Sequence, residues 1–232
     1  MLGFYDYTVW LTYISLMSAV SGIVVSLSGN GHPYFGMLFL LVSGLCDAFD
    51  GKVARKKQGR TKQEQSFGVQ IDSLSDLVAF GVLPACIGVG VARVSSKFDP
   101  ISFVHTTKHT TIVSAIFITI ALFYALAAMI RLAYFNVMAE EKMVEGSSNT
   151  IFIGLPVTTA ALIFPFILIL RACTPLDLTL FYFTALLVTG ILFLGKFQIR
   201  KPGSRGLVIM LAIGLVEFIA IIVTKFILKL PW

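Results

Sequence analysis

The chain has 232 residues, 57% of them hydrophobic and only 13% charged, with a formal net charge of +6 and a mean hydropathy of +0.89. A soluble domain carries about 25% charge, so this composition excludes an ordinary soluble globular protein. The apolar residues come in long blocks rather than amphipathic stripes, and the basic excess reads as membrane-side charge facing anionic lipid heads, not as a nucleic-acid surface.

In chain order the blocks predict an all-α integral membrane protein with helices at about 7–28, 33–55, 67–91, 111–138, 152–171, 176–194 and 206–228. Each has the ~20 residues that cross a bilayer core, which gives about seven transmembrane helices. The first run starts with Asp6 and lacks a basic leader and a small-residue cleavage site, so it reads as a retained helix. The stretch 152–194 divides at "RACTPLD", on Pro175 and its polar flanks. The only long polar segments are 56–66, 92–110 and 139–150, and residues 1–232 read as a single membrane domain without internal repeats.

Placing the N-terminus in the cytoplasm puts twelve of the 18 Lys and Arg residues on that side and six on the other. That bias sets the 56–66 loop at the cytoplasmic face. Cys46, Cys86 and Cys173 lie in or beside apolar runs without ligand-like spacing and read as packing thiols. His32, His105 and His109 fall on the opposite, outer side.

The chemistry-bearing stretch is "CDAFDGKVARKKQGRTKQEQSFGVQIDSLSD", Cys46 to Asp76. On one helix Asp47, Asp50, Gly51, Ala54 and Arg55 fall within an arc of about 140°. On the next, Gly68, Asp72 and Asp76 follow at i, i+4 and i+8. A short connection makes the two helices antiparallel neighbours, so the four carboxylates converge near one membrane face. Each costs ~2.5–3.5 kcal/mol at a helix centre, less near the interface, and Arg55 alone cannot balance four of them. Divalent metal on oxygen ligands, Mg²⁺ or Mn²⁺, answers that imbalance, and two ions ~4 Å apart suit displacement at phosphorus. Small residues at 51, 54 and 68 leave room for a bulky ligand, and Arg55 suits phosphate oxygens. A divalent-cation or proton transporter is the other functional class that intramembrane carboxylates mark. Transporters place such groups nearer the midplane, often on broken helices of repeated halves. For Asp6, Asp99 and Asp177 the ordinary reading is a helix cap or an interfacial residue.

Written out, the pattern D-x₂-D-G-x₂-A-R-x₁₂-G-x₃-D-x₃-D from Asp47 to Asp76 resembles the signature of the CDP-alcohol phosphatidyltransferases. Their usual gap between arginine and second glycine is about eight residues, against twelve here, Lys56 to Phe67. The extra four make about one helical turn, so the helix pair is expected to project further beyond the membrane. "DSLSDLVAFGVLPA" (72–85), "RLAYFNV" (131–137) and "GLPVTTAA" (154–161) are similar to the serine-using branch of that family. The resemblance implies a six-helix core plus a C-terminal helix, 206–228, to which it assigns no role.

It also implies transfer of a phosphatidyl group from CDP-diacylglycerol to L-serine, giving phosphatidylserine and CMP, by an enzyme that is commonly a homodimer. Glycerol phosphate or inositol phosphate is the alternative acceptor. Carried over residue by residue, Asp47, Asp50, Asp72 and Asp76 would ligate the metals, and Asp76 would also be the general base. Gly51, Ala54, Arg55 and Gly68 would line the CDP-lipid site. Serine's carboxylate needs a cation, for which Arg131 with Asn136 is one candidate set and Lys196, Arg200 and Lys201 the other. Both sets also read as ordinary anchoring charge or a helix end.

Overall fold

The computed structural model describes residues 3, 7–28, 32–57, 59, 61–95, 108–145, 151–173, 177–200 and 204–223. Asp6, Asp99, His105, Pro175 and Lys201 lie outside that set. The described chain is a helical bundle: α1 (Trp10–Leu27), α2 (Pro33–Lys56), α3 (Lys62–Asp76), α4 (Leu83–Val94), α5 (Lys108–Glu145), α6 (Ala160–Cys173), α7 (Thr179–Leu194) and α8 (Ser204–Ile222). Four continuous helical stretches are long and apolar enough to cross a bilayer: Trp10–Leu27, Pro33–Gly51, Lys62–Val94 and Ile112–Met138. Three shorter apolar helices, Val157–Arg171, Thr179–Leu194 and Ile209–Ile222, complete the bundle. Side chains such as Trp10, Met17, Leu122 and Val216 are exposed on its flanks. Such a belt is stable against lipid rather than water, and the chain is built as an integral membrane protein.

Local signals explain the boundaries. Pro33 opens α2, where its missing N–H costs nothing. Thr61 and Glu64 form a capping box that starts α3: Glu64 N donates to Thr61 Oγ1 at 3.2 Å, and Thr61 N donates to Glu64 Oε2 at 2.7 Å. The third helix thus begins at Lys62, not near 67, and the residues added after Arg55 extend the helix pair instead of lengthening a loop.

α3 and α4 form one continuous rod through a π-helical turn at Leu77–Val82. Pro84 has no N–H to offer the carbonyl of Phe80 four residues earlier, and its ring crowds that carbonyl, which is how a proline widens a helix. Tyr124 of α5 supplies the missing donor, its hydroxyl 2.6 Å from Phe80 O. Phe117 of α5 stacks on Phe183 of α7, with centroids 4.0 Å apart, and Tyr124 meets Phe164 of α6 edge-on. α1 and α2 lie close enough for hydroxyls to reach across: Ser18 Oγ donates to Phe39 O at 2.9 Å and Ser43 Oγ to Ser15 O at 3.0 Å.

One expectation is corrected. The stretch 152–171 is not helical throughout. Ile151–Ile153 (β1) pairs antiparallel with Gln198–Arg200 (β2), and the helix begins only after a 3-10 turn at Val157–Thr159. Gly154 ends β1 at φ +76, and a Cβ there would stand 2.7 Å from Gly195 O. No other residue accepts both conditions, and Pro156 follows as a further bar to helix. The ribbon joins the start of α6 to the end of α7, the same end of the bundle that carries the aspartates.

Candidate active site

Asp47 and Asp50 sit one turn apart on α2, and Asp72 faces them from α3. Each offers a carboxylate oxygen, and the three oxygens lie within 4.8 Å of one another. Asp50 is only 7% exposed, and Asp72 Oδ1 is buried with no hydrogen-bond partner among the described residues. The long contact from Thr12 Oγ1 to Asp50 Oδ2, 3.5 Å, braces the group from α1, and Ser75 Oγ donates to Thr12 O at 3.2 Å. The ion pairs among the described residues, Lys57–Glu64 and Arg171–Asp177, involve none of these aspartates.

Three hard oxygen donors in a partly dry place, one of them orphaned, fit a divalent cation of the Mg²⁺ or Mn²⁺ kind. Asp76 ends α3 one turn further along, at the edge of the π turn, and is 8% exposed. It stands outside the 4.8 Å triad yet within electrostatic reach of Asp47, Asp72 and Asp50.

The other expected site residues are placed as follows. Gly51 and Gly68 are half-buried on α2 and α3. Ala54 and Arg55 continue α2 past Asp50, and their side chains lie outside the described atoms. Asn136 comes to α3, where Ser73 Oγ donates to Asn136 Oδ1 at 3.0 Å, one residue from Asp72.

Arg131 is 4% exposed and turned toward the ribbon. Its Nε donates to Leu155 O at 3.1 Å, its Nη2 lies 3.4 Å from Gly154 O, and its guanidinium stacks over Phe135. Of the alternative acceptor set, Lys196 is exposed and Arg200 lies on β2, its side chain outside the described atoms. His32 precedes α2 at the end opposite the aspartates, and the side chain of His109 is outside the described atoms.

The family model described as CDP-alcohol phosphatidyltransferase matches residues 8–194. The chain belongs to the CDP-alcohol phosphatidyltransferase family. The aspartate triad falls inside the matched segment, and α8 falls beyond it. The chain is 32% identical over 163 residues to a CDP-diacylglycerol–serine O-phosphatidyltransferase of Saccharomyces cerevisiae, covering 68% of this chain and 51% of that one. It is 25% identical over 203 residues to a protein of the same name from Methanocaldococcus jannaschii, 88% and 79% of the two chains. An archaetidylserine synthase of Methanothermobacter thermautotrophicus is 32% identical over 149 residues, 64% and 52% of the two chains. The chain thus spans about half the length of the yeast relative. No solved structure matches it.

The aspartate pattern did not reveal Thr12, Ser73 or Ser75. Thr12 lies 38 residues from Asp50 in sequence, and a lone threonine in an apolar helix carries no local signal. Ser73 and Ser75 stand among the aspartates on α3, and that adjacency alone could have flagged them.

Proposed function

We propose that this protein transfers a phosphatidyl group from CDP-diacylglycerol to L-serine, forming phosphatidylserine and releasing CMP. The observation that carries the reading is the convergence of Asp47, Asp50 and Asp72, with one Asp72 oxygen buried and unpartnered. The names of the relatives support serine as acceptor, since serine recurs in them while the lipid part differs.

Asp47, Asp50 and Asp72, with Asp76 at their side, would hold Mg²⁺ or Mn²⁺, two ions in our reading. When bound, such ions draw charge off the diphosphate oxygens and ease the departure of CMP. Asp76 takes the proton of the serine hydroxyl as that oxygen attacks the phosphorus bearing the diacylglycerol. The bond from that phosphorus to the bridging oxygen breaks, and the electron pair leaves with CMP. Attack is direct, without a covalent enzyme intermediate. Gly51, Ala54 and Gly68 leave space for the cytidine diphosphate, and Arg55 meets its phosphate oxygens. Arg131 and Asn136 stand on the serine side.

In the same reading residues 1–232 form one domain that crosses the membrane seven times. The N-terminus and the active site are cytoplasmic, and the working unit is a homodimer.

Purified protein in detergent, given CDP-diacylglycerol, Mn²⁺ or Mg²⁺ and each acceptor in turn, tests the proposal through CMP release. Release with serine alone supports it. Release with glycerol phosphate or inositol phosphate instead would replace the acceptor. Absence of release with every acceptor would overturn the reading.

A further inference from the structure

An apolar cavity of about 280 Å³ lies against the aspartate triad. Leu41, Gly44 and Asp47 line it from α2, and Met210, Gly214 and Phe218 line it from α8, with the start of α6 closing the side. Asp47 is its one ionisable wall residue. The cavity runs from the triad into the membrane: Asp47 to Leu41 is six residues of helix, about 9 Å, and Met210 to Phe218 is eight, about 12 Å. Both helices leave the aspartate end in that direction, α2 toward lower numbers and α8 toward higher, because α8 starts just after the ribbon.

A compartment that begins at a carboxylate set able to hold divalent cations, and through them a diphosphate, and continues as an apolar slot matches an amphiphile with a diphosphate head and a hydrocarbon tail. Its volume is at the small end of the ~300–1,000 Å³ typical of ligand pockets, so it takes part of one chain rather than two whole tails.

The geometry points to α8, which lies outside the family-matched residues 8–194, as the wall of an acyl-chain slot that sets which CDP-lipids this protein accepts. Gly214 is the determinant. A Cβ built there meets only Leu162 Cδ2, at 3.6 Å, so the space before it is open and a larger side chain would occupy the slot. The inference rests on the reading of CDP-diacylglycerol as the donor.

The test compares CMP release from CDP-dipalmitoylglycerol and from CDP-dihexanoylglycerol, in wild type and in Gly214→Leu. The quantity read is the ratio of kcat/KM for the long donor to that for the short one. Filling the slot displaces about two methylenes of the long chain, and the ratio should fall roughly tenfold. Gly214→Ala, a smaller intrusion, should lower it by less and guards against a misfolded leucine variant. An unchanged ratio in both variants would overturn the assignment of α8, even while CMP release from wild type upholds the donor. Absence of release from wild type with both lipids would overturn the donor, and the slot with it.

Discussion

Tyr124 donates its hydroxyl to the carbonyl of Phe80, 2.6 Å away, the carbonyl to which Pro84 has no N–H to offer. The bond braces the π turn that joins α3 to α4 just beyond Asp76, and both partners are fully buried. Tyr124→Phe should cost about 0.6–1.7 kcal/mol, the range found for side-chain hydrogen bonds inside membranes, read by unfolding in detergent. In a Pro84→Ala background residue 84 can donate to Phe80 itself, so the same change should cost less. Equal losses in both backgrounds would contradict this account of the turn.

As carboxylates, Asp47, Asp50 and Asp72 repel one another, and a bound cation relieves that repulsion. Asp72→Asn should therefore leave the metal-free protein as stable as wild type, or more so, while abolishing the response to metal. Wild type at a hundredfold excess of Mn²⁺ over its Kd should gain about 2.7 kcal/mol, and the variant little. Thermal melts with Mn²⁺ and after chelation check both halves. A variant that loses stability without metal would make the triad a packing network instead.

Arg131, proposed above for the serine side, is held to the turn after β1 through Leu155 O at 3.1 Å. Arg131→Ala should raise the KM for serine several-fold while moving the KM for CDP-diacylglycerol little. Arg131→Lys keeps the charge but lacks the planar fork that reaches two carbonyls, and should rescue serine affinity only in part. Equal changes in the two KM values would leave Arg131 as a strut for the 154–155 turn.

At the opposite end of the bundle Asp177 ties α4, α6 and α7 together. It accepts from Ser95 Oγ and from Thr179 N, the latter at 3.0 Å, and pairs with Arg171 at 3.5 Å. It precedes the N-cap residue of α7, Leu178, and accepts from the first helical N–H, that of Thr179. Burial alone would raise its carboxyl, but the hydrogen bonds from Ser95 and Thr179 and the Arg171 guanidinium outweigh that and hold it below the usual carboxylate range. A depressed folded value means the stabilisation is full above the unfolded value, about 3.9, and drains as pH falls through the folded one. The melting-temperature gap between wild type and Asp177→Asn should be steady from pH 7 to about 5 and close below about 4. A gap constant to pH 3 would contradict this.

The aspartate set was legible because helical spacing alone puts Asp47 with Asp50, and Asp72 with Asp76, on single faces. Other features were not. The polar run "KQEQS" reads as loop, and only the Thr61–Glu64 capping box betrays that it is helix. Ile151–Ile153 is an apolar triplet that looks like the start of the helix after it, and its strand character comes from a partner some 45 residues away. Arg131 reads as anchoring charge because its partners are main-chain carbonyls, which no side chain announces. Even Asp76, in phase with Asp72, stands apart from the triad. Helical phase fixes direction but not the distance to a neighbouring helix.

The most direct test of the account is CMP release from CDP-diacylglycerol by wild type and Asp76→Asn, with serine and Mn²⁺ each present or omitted. The account predicts release only when both are present, and a fall of about 10²-fold or more in the variant, the scale of a lost general base. Release that persists without serine, or that survives intact in Asp76→Asn, would contradict it.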